Sequence, residues 1–349
     1  MSRYASAHEH PHGAGDARPT ALKIIEDEGL VGKLADKTVL ITGANQGIGL
    51  ETARALHATG ATVFLGVRNL ERGRQAIADI QTPPNPAHTG ALHLVEMSLD
   101  SLASVRKGAQ DFLLRSGGKL NILVLNAGIM TEKKGQTVDG FETQFGTNHL
   151  GHFLLFQLLK SALLDSATPE FHSRVVAVSS MMHKVSGIRF DDYNFDKEGS
   201  YDIVTAYGQT KTANIYLANE IERRYGARGL HGLSLHPGII MTNMSRPYLG
   251  DDDTVRAEMG EKQLEILRRV EKSPTQGAAT TVYAAVSKEW EGRGGRYLSD
   301  CVEAAPGTGG SGVESWLTDT GYSAWIYDEE KAARLWKESC KMVGIEDGV

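Results

Sequence analysis

Cysteine is nearly absent: the 349 residues contain two, Cys301 and Cys340. They stand far apart and in no CxxC or metal-like spacing. That excludes a disulfide framework and a cysteine metal centre, and it fits a reduced, cytoplasmic protein. Excess positive charge is lacking as well. Against 43 Asp and Glu stand 37 Lys and Arg, a formal net charge of -6, with no dense basic stripe of the kind that neutralises phosphates, so nucleic acid is not an expected partner. No apolar run approaches the roughly 20 residues that cross a bilayer, so no membrane span is expected. The longest, around Phe153–Phe156, is broken by Gln157 and Lys160 and reads as a buried amphipathic helix. The amino end, MSRYASAHEHPHG, has no apolar stretch resembling a secretory signal. Residues 1–36 therefore read as a leader, partly disordered. His8, His10 and His12 alternate within its polar start, a pattern of solvated side chains rather than metal ligands. Without a secretion signal, the sequon Asn243-Met244-Ser245 implies no glycan.

What is present is a repeating alternation. From Lys37 onward, short β-branched runs alternate with helix-length amphipathic stretches, the pattern of βαβ units. Strands are expected at 38–41, 62–65, 92–95, 122–125, 175–178 and 232–235, with a seventh near 295–298. Six to seven strands with crossover helices make an α/β, doubly wound, Rossmann-type parallel sheet in a single domain spanning 37–305. Ligands bind such sheets beyond the carboxyl ends of the strands. Gln81–Pro86 reads as a loop from its prolines. The charged stretch near 244–275 carries a helical pattern and reads as a mobile lid. The segment 306–349, Gly-rich to Gly312 and then aromatic, reads as a packed C-terminal extension.

The first strand runs into Thr42-Gly43-Ala44-Asn45-Gln46-Gly47-Ile48-Gly49 before a helix. Glycines there allow a tight turn and let backbone N–H groups approach a pyrophosphate. A phosphate-binding loop of the Gly-Lys-Ser/Thr type is excluded, because Ile48 and Gly49 occupy the required positions. The Gly-x-x-x-Gly-x-Gly spacing resembles the short-chain dehydrogenase/reductase family. Further motifs follow in that family's order, and the resemblance extends over about residues 37–300. Asn126-Ala127-Gly128 ends the fourth strand, with Leu125 in place of the family's frequent first Asn. Ser179-Ser180 ends the fifth strand, and Tyr207-Gly208-Gln209-Thr210-Lys211 opens the next helix. His236-Pro237-Gly238-Ile239-Ile240-Met241-Thr242 follows the sixth strand. The stretches 34–45 and 147–153 look most like the retinol-dehydrogenase-like and WW-domain-oxidoreductase-like branch.

The resemblance implies an NADP(H)-dependent oxidoreductase acting on a small-molecule carbonyl or alcohol. Within it, Tyr207 is the general acid/base, Lys211 holds the nicotinamide ribose and lowers the phenol pKa, Ser180 positions the substrate oxygen, and Asn148 holds a water that relays protons to the lysine. Gly43, Asn45, Gln46, Gly47, Ile48 and Gly49 take the pyrophosphate. Asn126, Ala127 and Gly128 line the cofactor, and Pro237, Gly238, Ile239 and Thr242 lie by the carboxamide. Ser98 and Leu99 stand where the family places an Asp-Leu pair beside the adenine. At the end of the second strand Arg68 replaces the acidic residue of NAD enzymes, and a guanidinium suits a 2'-phosphate, so NADP is favoured. His149 and His152 read as packing or surface residues. Met241, Met244, Pro247, Tyr248 and Leu249 suggest an apolar pocket for a lipophilic or aromatic ketone, aldehyde or alcohol, or merely pack the lid. Such relatives often serve secondary metabolism and form homodimers or homotetramers. Two other readings remain: a non-catalytic NADPH-binding regulatory protein, and a dehydratase or epimerase on the same fold.

Overall fold

The computed structural model describes residues 3–82, 90–242, 244, 252–310 and 313–347. Eight strands form one sheet: β1 (Thr38–Thr42), β2 (Thr62–Val67), β3 (Leu92–Glu96), β4 (Ile122–Leu125), β5 (Ser173–Val178), β6 (Leu230–His236), β7 (Arg296–Ser299) and β8 (Val302–Glu303). Their order is β3-β2-β1-β4-β5-β6-β7-β8, and all neighbours pair in parallel except β7 with β8. The chain reverses its winding between β1 and β4, which is where an open sheet parts its loops to admit a ligand.

Fourteen helices are labelled among the described residues: α1 (Ala5–Glu9), α2 (Ala21–Asp27), α3 (Gly47–His57), α4 (Leu70–Ile80), α5 (Leu102–Ser116), α6 (Thr143–Phe145), α7 (Gly151–Ser166), α8 (Ile203–Tyr225), α9 (Asp252–Met259), α10 (Glu261–Val270), α11 (Pro274–Gly277), α12 (Ala279–Val286), α13 (Val313–Thr318) and α14 (Glu329–Val343). Every residue of β1, β4, β5 and β6 is buried, as strands covered on both faces require. Alternation still sorts their side chains. Leu40, Leu123 and Val175 join the core beneath α5, α7, α8 and α14, whereas Val39, Ile41, Val124 and Val176 join the core beneath α2, α3 and α12.

Among the described residues the strand count is eight rather than six or seven. The additional β8 is two residues long and follows a tight turn at Asp300 and Cys301, both with positive φ (53° and 56°). A strand that short leaves no alternation to read.

The amino-terminal segment is packed, contrary to the expectation of a partly disordered leader. Tyr4, Ile24 and Ile25 are buried in the same core as β1 and α12, and the Tyr4 ring meets Tyr283 edge-on at 6.0 Å. Thr20 caps α2 by accepting from Lys23 N. His8 is not solvated but lies 3.2 Å from Asp300. Buried Arg18 donates to Asp16 at 2.8 Å and to the carbonyls of Val270 (2.8 Å), Glu271 (2.6 Å) and Gly13 (3.0 Å). It thereby satisfies carbonyls at the carboxyl end of α10, which the helix itself leaves open.

Within the expected lid, α9 and α10 are helical; residues 243 and 245–251, including Pro247, Tyr248 and Leu249, lie outside the described residues, as do 83–89 of the proline loop and 311–312. The C-terminal extension shares the main core. Trp336 of α14 packs edge-on against Phe153 and Phe156 of α7.

Candidate active site

Beyond the carboxyl ends of the strands opens a cleft of about 980 Å3. Its floor begins where β1 turns into α3. Gly43 adopts φ +67°, and a Cβ there would meet the Ala127 backbone at 2.9 Å. A Cβ on Gly49 would lie 2.3 Å from the Gly43 carbonyl. The turn therefore admits only glycine at these two points. Gln46 precedes α3 without a side-chain cap, so the first N–H groups of an eleven-residue helix remain available to an anion.

A buried hydroxyl organises this turn. Thr42 Oγ1 accepts from Asn126 N (3.0 Å) and Ala127 N (3.1 Å). It lies 2.9 Å from His152 Nε2, whose other ring nitrogen lies 3.0 Å from the Asn148 carbonyl. That carbonyl can only accept, so Nδ1 carries the proton and Nε2 accepts from the threonine. Burial holds the His152 pKa down to about 3, which keeps the ring neutral. Asn126 Nδ2 in turn donates to the carbonyls of Thr42 (2.9 Å) and Gly43 (3.3 Å).

Asn148 lies in a widened π-turn, Gly146–Leu150, inserted between α6 and α7. Such turns recur at functional sites because the extra residue turns a side chain off the helix face. Asn148 Oδ1 accepts from Ile129 N at 2.8 Å, and Nδ2 donates to Ile129 O at 2.9 Å and to Thr210 Oγ1 at 3.2 Å. A Cβ added at Gly128 would stand 3.5 Å from Lys211 Nζ and 3.7 Å from Asn148 Oδ1. Asn148, Gly128 and Lys211 thus meet, although Asn148 itself is fully buried behind the cleft wall.

Tyr207 and Lys211 sit one turn apart on α8, whose start is capped by Asp202. Lys211 Nζ is 5.1 Å from the Tyr207 ring centroid and donates to Val178 O at 3.1 Å. Burial raises the phenol pKa and lowers that of the ammonium to about 8. Ser180 follows β5 and also lines the cleft. Its hydroxyl accepts from Met182 N at 3.2 Å, while Ser179 Oγ is turned into α8 and donates to Lys211 O at 2.8 Å. Tyr207, Lys211 and Ser180 all line the cleft.

The remaining expected residues distribute along the same cleft. Arg68 is exposed at the end of β2, and the neighbouring Asn69 side chain caps α4. Ser98 Oγ donates to Asp100 at 2.5 Å, so Asp100 restores a carboxylate beside the position where Ser98 had replaced one. Gly238 has φ +103°, with Lys272 packed where a Cβ would stand. Asn45, Gln46, Gly47, Ile48, Leu99, Pro237, Ile239 and Thr242 all line the cleft too. The residues missed from the sequence are Thr42, His152, Asp100 and, from the C-terminal segment, Trp316 and Leu317. One clue existed for His152, four residues after Asn148 and so on the same helical face. None existed for Trp316.

Residues 37–252 match the family described as short chain dehydrogenase. This chain belongs to the short-chain dehydrogenase/reductase family. It is 47% identical over 345 residues to the short-chain dehydrogenase/reductase prx1 of Penicillium roqueforti, covering 99% of this chain and 96% of that protein. It is likewise 47% identical over 349 residues to the oxidoreductase calI of Penicillium decumbens, covering 99% of each. Human retinol dehydrogenase 14 is 38% identical over 324 residues, covering 90% of this chain and 88% of that one, which sets the chain in the retinol-dehydrogenase-like branch. A crystal structure of an uncharacterised protein from Mycobacterium paratuberculosis superposes with a TM-score of 0.66 at 31% identity, covering 95% of this dehydrogenase/reductase and all of that chain. Among the described residues no helix is long and apolar enough to cross a membrane.

Proposed function

We propose that this short-chain dehydrogenase/reductase exchanges a hydride between NADP(H) and a lipophilic or aromatic ketone, aldehyde, or primary or secondary alcohol. The observation that carries the reading is convergence: a phenol, a hydroxyl from a different strand end and an ammonium face one cleft whose other end is a glycine-only turn at a helix amino terminus.

The cleft suits such a cofactor. The uncapped N–H groups of α3 and the glycine cradle fit a pyrophosphate, and the exposed guanidinium of Arg68 fits a 2'-phosphate better than a free ribose hydroxyl. A bound nicotinamide supplies or accepts the hydride. Everything else falls to the chain. Ser180 Oγ holds the reacting oxygen, and Tyr207 gives that oxygen a proton during reduction or takes one during oxidation. A buried phenol resists ionising, and the Lys211 ammonium beside it offsets that resistance by its charge. Asn148 fixes the Ile129 backbone next to the ammonium and so keeps that charge in register. Both cysteines are buried and unpaired, in keeping with a cytoplasmic location.

Tyr207→Phe tests the reading. Turnover should disappear while NADPH binds nearly as before, and a wild-type rate in the variant refutes the assignment. The sensor reading predicts NADPH binding with no carbonyl or alcohol turnover in a broad screen. A dehydratase or epimerase converts substrate with no net change in nicotinamide absorbance.

A further inference from the structure

Residues 313–323 lie outside the stretch matched by the family, yet two of them, Trp316 and Leu317, line the cleft. They are fastened on two sides. Toward the lid, Leu317 is buried in a small apolar cluster with Leu264 and Leu267 of α10 and with Ile239, and Lys262 pairs with Glu314 at 2.8 Å. Toward the catalytic serine, Lys184 Nζ donates to the Asp319 carbonyl at 2.5 Å and lies 3.5 Å from its carboxylate. Ser323 N donates to His183 Nε2 at 3.2 Å, and the same ring bonds the Ser180 carbonyl at 2.7 Å through Nδ1. Asp319 also accepts from Thr308 N (3.0 Å) and Gly321 N (2.9 Å). The segment is therefore held in register with Ser180 on one side and with the lid on the other.

Between these anchors stands Trp316. It lines the cleft and keeps 37% of its surface exposed, while its neighbour Leu317 keeps 4%. A large indole left open on a concave apolar surface is the kind of group on which binding energy concentrates. Met130, Met182 and Met244 line the same cleft, and flexible thioethers adapt to irregular apolar shapes. Among the described lining residues the charged side chains are Arg68, Asp100 and Lys211. Arg68 directly follows β2, Asp100 lies in the loop after β3, and Lys211 stands behind Tyr207, so none of these serves a carboxylate or phosphate on the substrate.

We infer that Trp316 is a specificity-determining residue, whose indole forms the wall against which the carbon skeleton of a neutral, lipophilic substrate packs. The inference rests on the oxidoreductase reading of the cleft. The C-terminal segment thus selects by size and apolarity, while the residues at β5 and α8 carry the chemistry.

Two measurements on the full chain test it. The first titrates Nile red, a neutral planar dye, into the NADP-loaded protein. Trp316→Ala should weaken its binding by about tenfold, equivalent to roughly 1.4 kcal/mol, and Trp316→Phe by less than about threefold. Unchanged binding in Trp316→Ala, or no binding to the wild type, overturns the proposal. The second compares kcat/KM for 2-naphthaldehyde and propanal. Trp316→Ala should lower the naphthaldehyde value about tenfold and leave that for propanal within about twofold; an equal loss on both overturns it. If the wild type turns over neither aldehyde, yet naphthaldehyde displaces Nile red in a Trp316-dependent way, the oxidoreductase reading fails and the wall remains.

Discussion

Thr42 and His152, 110 residues apart in sequence, share a buried hydrogen bond of 2.9 Å that joins the glycine turn to the helix following Asn148. The threonine hydroxyl has no spare capacity. It accepts two backbone N–H groups and gives its single proton to the imidazole. The cofactor turn and the helical wall therefore move as one piece. Replacing His152 by Ala leaves that hydroxyl proton only the long 3.4 Å contact with the Val124 carbonyl, which costs about 1 kcal/mol of stability. NADPH affinity should fall several-fold with it. Fluorescence titration and chemical denaturation of the same variant check both.

In the proposed function Arg68 bears the cofactor choice. Arg68→Ala should weaken NADPH binding by about 10- to 100-fold, about 1.4–2.7 kcal/mol, while NADH binding stays within about threefold. Equal losses for both nucleotides would show that the guanidinium does not meet a 2'-phosphate. Competitive titration of the two reduced cofactors against wild type and variant is the measurement.

Arg18 ties the amino-terminal segment to the end of the lid helix through four acceptors. Removing the buried cation leaves two helix-end carbonyls unpaired and takes the ion pair from Asp16, which keeps the backbone N–H groups of His12 and Arg18 and the Nε2 of Gln276. Arg18→Ala should cost about 3 kcal/mol, and Arg18→Lys a fraction of that, since an ammonium reaches fewer of the acceptors. Differential scanning calorimetry of the two variants reads the difference directly.

Acid should unfold the protein early. Burial lowers the pKa of His149, His152 and His236 to about 3 and that of His183 to about 4, from an ordinary 6.5. As pH falls through 6.5 the unfolded chain takes up protons that the folded chain refuses. Stability from these groups is thus complete above 6.5 and drains toward pH 4. The slope approaches about 1.4 kcal/mol per pH unit for each ring, or about 5.6 for the four. Denaturation midpoints at pH 7 and pH 5 measure it. His149→Gln, which keeps a partner for Ser339, should flatten the curve by up to one proton.

Seven of the eight strands were legible because each is a short apolar run between amphipathic helices; β1, β4, β5 and β6 are buried throughout, whereas β3 is only partly covered. The glycine turn was legible from spacing, since Gly43 and Gly49 are needed for space rather than for chemistry. Tyr207 and Lys211 were legible from their place after Ser179-Ser180 at the start of a helix, since their separation along one helical face recurs by chance. The amino-terminal packing was not. Its anchors, Tyr4, Ile24 and Ile25, are isolated in a polar stretch, and only the opposing surface of α12 gives them a purpose. Asp100 was overlooked because its role is to hold Ser98, a relation between neighbours that no single-residue pattern encodes. Trp316 comes from a segment whose position depends on contacts with Lys184 and His183, far off in sequence.

The burial of Tyr4, Ile24 and Ile25 bears on how the protein can be made in the laboratory. A fragment trimmed to 37–252 would shed β7 and β8 and strip the covering from β1. Its sheet would gain a raw edge beside β6 and a greasy face, the surfaces through which chains stick to one another. Such a fragment belongs in inclusion bodies. Useful recombinant material has to begin ahead of Tyr4 and run past Trp336, with any affinity handle set off by a spacer.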